Sequence, residues 1–326
     1  MKVYLTVLIV LGLQLSPLPA TDKKEAPEPL PQEIVKAWSE AGATVGWMTD
    51  PFPGGAPGGP KFKQQGATKA VPVFQFPAWK EGVLAKLPDP GVPFGLCLNL
   101  TKKTDAGVTD AGLKELAGLK SLQALYLRYT VVTDAGLKEL AGLTNLQTLD
   151  LDDTKVTDAG LKELAGLESL QALYLFHTQV KGSGLKELAG LKNLRELYLA
   201  YSQVADAGLK ELSGFKNLQT LDIRNSKKHT KAEVTDAGLK ELAGLTTPQR
   251  LYMNHTEVTD AGLKELAGLK NLQMLNISAT EVTDAGLKEL AGLKNLQTLI
   301  MWGTKATPAG VAALRKELPK CNIADQ

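Results

Sequence analysis

The chain has 326 residues, with 37 basic against 35 acidic side chains and a formal net charge of +2. That near balance, with no Lys/Arg stripe, excludes the electrostatic footprint of a nucleic-acid partner. Length would allow two or three globular domains, but a fixed internal repeat marks one long solenoid instead.

Residues 1–20 open with Lys2 and an apolar run to Leu15, then Ser16-Pro17-Leu18-Pro19-Ala20. This is the layout of a signal peptide, too short for a comfortable spanning helix. Leu18 is larger than the ideal residue before a cleavage point, so an uncleaved anchor stays open. No cysteine lies near that point, which argues against a lipoprotein, and nothing later is apolar enough to span a bilayer. The expected location is therefore exported: periplasmic, cell-surface or secreted. Residues 21–31, rich in Pro, Lys and Glu, read as a tether.

Residues 32–93 form a small α+β unit by the same reading. Helical spacing over Glu33–Trp38 and strand character at Thr44–Met48 precede a Pro/Gly-rich loop at 51–60. Its four glycines are not followed by Gly-Lys-Ser/Thr, so no phosphate loop is implied. Residues 71–76 read as a second strand, with Pro72 suggesting an edge, and 78–87 as a second helix closed by Pro88. Trp38, Trp47, Trp79, Phe52, Phe62, Phe74 and Phe76 concentrate here. They read as an aromatic cap over the raw end of a repeat array, with a binding pocket as the alternative.

From residue 94 to 305 a 24-residue unit recurs about eight times. Its valines stand at Val108, Val132, Val156, Val180 and Val204, then, after six extra residues near 227–232, at Val234, Val258 and Val282. In each copy a half-buried strand such as Leu125-Tyr126-Leu127 leads into Thr133-Asp134, an N-cap with an acid in the first turn. Leu137, Leu140 and Ala141 share one helical face, and Gly142 is placed for a left-handed C-cap. Lys138 and Glu139 repeat as a solvated outer face. Helix axes need 8–10 Å, whereas parallel strands need about 4.8 Å, so strands line a concave face and short helices a convex one. Residues 306–326, with Thr307-Pro308 opening a longer helix, read as the C-terminal cap. Cys97 and Cys321 lie at opposite ends of the array, on the order of 40 Å apart. They therefore read as free thiols.

These residues resemble the leucine-rich repeat family, with Leu146-x-x-Leu149-x-Leu151-x-x-Thr154-x-Val156 standing for L-x-x-L-x-L-x-x-N-x-L. The T-D-A-G-L helix is most similar to the exported bacterial, short-helix, GALA-like class. The resemblance implies an α/β solenoid shaped as a curved horseshoe. One departure is that Thr or Ser, from Thr130 to Thr304, replaces the usual Asn or Cys. A buried hydroxyl at that place still has backbone to bond.

Variation is confined to the strand positions that face the concave side. Tyr126, Asp150, Tyr174, Tyr198, Asp222 and Tyr252 fill one column, and Arg128, Asp152, Phe176 and Arg224 the next. Tyr129, Asp153, His177, Tyr201 and His255 follow, with Asp153 turning toward the rim. Tyrosine gives wide amphipathic contact at low entropy cost, so this strip is the expected partner-binding surface. The partner class is another protein or an envelope glycan. The insertion adds Lys227, Lys228, His229 and Lys231 as a basic loop beside Asp222 and Arg224. No catalytic set, metal site or cofactor pattern completes itself. Two alternatives stay open: an envelope enzyme centred on Asp150, Asp152 and Asp222, and a purely structural spacer.

Overall fold

The computed structural model describes residues 30–48, 62–63, 71–99, 107–225 and 234–325. The leader, most of the tether, the loop at 51–60 and the basic insertion with Lys227, Lys228, His229 and Lys231 lie outside these described residues.

One open sheet runs the length of the molecule. Its strands are β1 (Thr44–Met48), β2 (Phe62–Lys63), β3 (Val71–Gln75), β4 (Phe94–Cys97), β5 (Leu122–Tyr126), β6 (Thr148–Asp150), β7 (Ala172–Tyr174), β8 (Glu196–Tyr198), β9 (Thr220–Asp222), β10 (Arg250–Tyr252), β11 (Met274–Asn276), β12 (Thr298–Ile300) and β13 (Asn322–Ala324). From β3 to β13 every neighbour is parallel and sequential, so each repeat adds one strand beside the last. The array is an α/β solenoid with the leucines of all repeats in one continuous core.

Each convex segment is shorter and tighter than an ordinary helix. Asp134–Leu137 makes one α turn and Lys138–Leu140 continues as a 3-10 turn. A helix this short is unstable alone, and the interlock between repeats explains its survival. The Thr157 N–H donates to Asp134 Oδ1 at 2.8 Å, and its hydroxyl donates to Oδ2 at 2.6 Å. Thr157 Oγ1 meanwhile accepts the Ala159 N–H at 3.2 Å, capping its own helix. The same staple joins Asp110 to Thr133, Asp206 to Thr235, Asp236 to Thr259, Asp260 to Thr283 and Asp284 to Thr307. The aspartate read as a helix-dipole partner is thus also the bolt into the next repeat. Where Gly182 replaces it, the threonine it would have held is Ala205, so both halves of that staple are lost together.

The two glycines of the repeat differ from expectation. Gly142 does not adopt the left-handed C-cap, because the 3-10 turn closes the segment instead. The glycine of D-A-G-L is there for close approach: a β-carbon on Gly136 would overlap Asp110 Oδ1, the staple itself. The Thr130, Thr154 and Thr178 hydroxyls donate to the carbonyls of Leu127, Leu151 and Leu175. They satisfy their own turn and do not bridge repeats.

At the N-terminal end, helix α1 (Gln32–Glu40) buries Ile34 and Trp38. The Trp38 ring stacks on Phe74 at 4.2 Å and meets Phe94 edge-on, covering the first repeat. Trp79 sits over Gly112, where later repeats place the staple aspartate. Pro72 is not on an edge strand, since β3 lies between β1 and β4. Its missing N–H is tolerated because pairing with β4 begins only at Val73. The helix expected over 78–87 is only a 3-10 turn at Leu84–Lys86. Gly82 has φ 78, and its N–H and that of Ala85 are taken by the Glu115 carboxylate. At the other end Thr307 caps α2 (Pro308–Glu317), and β13 adds a last strand that the sequence did not announce. Both cysteines are free.

Candidate functional site

The central tyrosines expose little of their rings. Tyr126, Tyr174 and Tyr198 are 2%, 9% and 3% exposed. Residues in register on neighbouring strands are about 4.8 Å apart, so large side chains at one position cover one another. Tyr174 and Tyr198 stack at 4.5 Å with planes 4° apart, and Tyr126 packs with Val73, Cys97 and Ala124. Burial drives both stacked phenols well above their ordinary pKa.

The three aspartates of the enzymatic alternative do not meet. Register carries Asp150 to Tyr174, Tyr174 to Tyr198 and Tyr198 to Asp222. Asp222 is therefore about 14 Å from Asp150, with two tyrosines between. Asp222 pairs with Arg224 at 2.7 Å, and Arg224 lies over the Tyr252 ring at 5.9 Å. Among the described residues no group of three or more His, Cys, Asp or Glu side chains is arranged to hold a metal.

Asp150 and Asp152 remain a buried pair with Arg128 beside them. Burial pushes the Asp150 carboxyl up to about 6, against the N–H it accepts from Asp152 and the Arg128 charge. Burial and then the Asp150 charge push Asp152 well above the usual carboxylate range. Burial likewise raises Asp222 to about 6, despite Arg224.

The open surface lies one step further along the chain, at the turns leaving the strands. Tyr129, Asp153, His177, Tyr201, His255 and Ala279 all have φ between 54° and 64°. Left-handed backbone costs a non-glycine residue roughly 1–2 kcal/mol, and only the last repeat places glycine here, as Gly303. The first four of these residues line a cleft of about 400 Å³ with Val131, Lys155, Gln179 and Gln203. Asp153 Oδ1 and His177 Nδ1 lie 2.7 Å apart, within hydrogen-bonding distance. Arg128 reaches Asp153 at 3.5 Å, donates to the Tyr129 hydroxyl at 3.1 Å, and lies over the Tyr129 and Phe176 rings. Phe176 meets Tyr201 edge-on at 4.9 Å. One connected network thus ties Tyr129, Asp153, His177 and Tyr201 together through Arg128 and Phe176.

Tyr129, His177 and Tyr201 come together with Arg128 and Phe176 behind them. Arg224 stands on the next strand beyond Tyr201, and Tyr252 and His255 two strands away. Asp153 proves central, while Val131, Lys155, Gln179 and Gln203 were not singled out at all. Their signal was available, since the residue two after the left-handed position also varies between copies. At Ala279 no ring contact opposes the strain, so Ala279→Gly is expected to stabilise the fold by about 0.5 kcal/mol. Equilibrium denaturation reads that change.

The sheet and its turns define a parallel-stranded repeat solenoid with a polar-aromatic cleft on its strand-exit rim. The leucine-rich repeat region family matches residues 109–322, and the chain belongs to it. No curated protein matches the chain. Among solved structures it is similar to internalin C2 of Listeria monocytogenes, at 27% identity and a TM-score of 0.49, over 73% of this chain and 87% of that one. It is also similar to the internalin inlF of the same species, at 19% identity and a TM-score of 0.39, over 80% and 91%. Among the described residues no helix is long and apolar enough to cross a membrane.

Proposed function

We propose that this protein is a non-enzymatic binding module of the cell envelope, a short-helix T-D-A-G-L member of its family, exported by residues 1–20. It holds its partner in the rim cleft between Tyr129 and Tyr201 rather than on the buried tyrosines of the strand centres. The observation that carries this reading is the set of bulky residues kept at left-handed positions around one cleft. The left-handed turn itself belongs to the repeat, since His255 and Ala279 share it outside the cleft and all six N–H groups stay in the ladder; what marks the cleft is bulky polar and aromatic side chains at positions that favour glycine. The convex face supports the contrast, since it repeats Lys-Glu with almost no variation.

The test is affinity capture from the host envelope by the full chain and by a Tyr129→Ala/Tyr201→Ala variant, each checked for an unchanged thermal transition. Capture by the variant is expected to fall at least tenfold. Equal capture by both would show that the cleft is not the contact site.

A further inference from the structure

The cleft has a period, and the period selects a ligand class. The backbone of its four left-handed residues stays in the parallel ladder. The Tyr129 N–H donates to Asp152 O at 3.1 Å, Asp153 to Phe176 at 2.8 Å, His177 to Ala200 at 3.0 Å and Tyr201 to Arg224 at 3.0 Å. Strand spacing therefore sets one lining residue every 4.8 Å or so, and the four span about 14 Å.

An extended peptide laid along this line advances about 3.3 Å per residue and returns a side chain to the same face only every second residue. It loses register with the cleft within two steps. A β-1,4-linked pyranose chain is a flat ribbon that advances by close to one strand spacing per ring. Its rings offer apolar C–H faces and equatorial hydroxyls. Tyr129 and Tyr201 stand at the two ends of the cleft, with His177, Gln179, Gln203 and Asp153 between and beside them. Aromatic rings accept the C–H faces, while amide, imidazole and carboxylate groups pair with hydroxyls.

We propose that the rim cleft binds a neutral β-1,4-linked oligosaccharide segment of about three to four pyranose units, one per repeat. The proposal rests on the cleft being the contact site. Titration calorimetry of the full chain with cellobiose, cellotriose, cellotetraose and cellopentaose, and with tetra-N-acetylchitotetraose, tests it against maltotetraose, whose α-linkages curl the chain. Affinity for one β-linked series is expected to rise at least tenfold from two units to four and then level off. Maltotetraose should bind at least tenfold more weakly. Tyr201→Gly, which suits the left-handed backbone and so keeps the fold, should lose at least tenfold for the tetrasaccharide.

Absence of binding by both β-linked tetrasaccharides at millimolar concentration overturns the proposal, as does affinity independent of length or linkage. If the sugars fail while the Tyr129→Ala/Tyr201→Ala variant still loses its captured partner, the cleft stands and its occupant is a protein. If capture is also unchanged, both readings fall.

Discussion

Gly160→Ala is expected to destabilise the protein by about 3 kcal/mol, while Gly166→Ala, six residues later in the same repeat, is expected to stabilise it by about 0.5–1 kcal/mol. A β-carbon on Gly160 would overlap Asp134 Oδ1 and come within 2.9 Å of Leu137 Cδ1. Relief requires moving the carboxylate that bolts Thr157 to the preceding repeat, so overpacking is compounded by two strained hydrogen bonds. Around Gly166 a β-carbon would meet nothing within 4 Å, and its backbone is not left-handed. Alanine there only narrows the unfolded ensemble and favours the helical turn. Urea unfolding of the two variants reads both signs. A mild Gly160→Ala would mean that the staple contributes little to holding repeats together.

The second large effect is a pH dependence centred on Asp150. Its folded carboxyl titrates at about 6, above the ordinary aspartate value of about 3.9, because burial opposes its charge. The folded state then binds the proton more tightly than the unfolded chain does. The resulting stability is fully present below about pH 4 and is lost as pH rises through about 6, on the order of 2–3 kcal/mol. Asp222 contributes with the same sign. Asp284, whose carboxyl the Thr307 hydroxyl and N–H hold below its usual range, contributes with the opposite sign. The clean readout is therefore a difference between parent and Asp150→Asn.

Asparagine keeps the hydrogen bond that Asp150 makes, since Asn276 at the equivalent place accepts the Ser278 N–H at 3.0 Å. It also removes the like charge next to Asp152, and Arg128 keeps Asp152 and Asp153 as partners. Asp150→Asn is expected to be about 2 kcal/mol more stable than the parent at pH 8 and equal to it at pH 4. Denaturation midpoints at the two pH values decide it. A variant equally weakened at both would mean that the Asp150 charge is well compensated in the fold.

The repeat period, the parallel strands and the inward leucines were all legible in the chain, because a 24-residue recurrence with fixed apolar spacing leaves stacking as the only way to bury that surface. The candidate surface was legible only as a strip of variable positions. Periodicity places a residue on a face, but it cannot say how neighbouring repeats cover it. Tyr126, Tyr174 and Tyr198 were rightly assigned to the strands, yet the strand spacing stacks and buries them. Tyr129, Asp153, His177 and Tyr201 look like simple continuations of those strands. Their left-handed backbone turns them out along the rim, and only the ladder of neighbouring repeats holds them there. The role of the repeat aspartate was hidden for the same reason, since its partner is a threonine 23 residues on. Local residue patterns determined the unit, while contacts between units, set by the stacking distance, decided which side chains remain available.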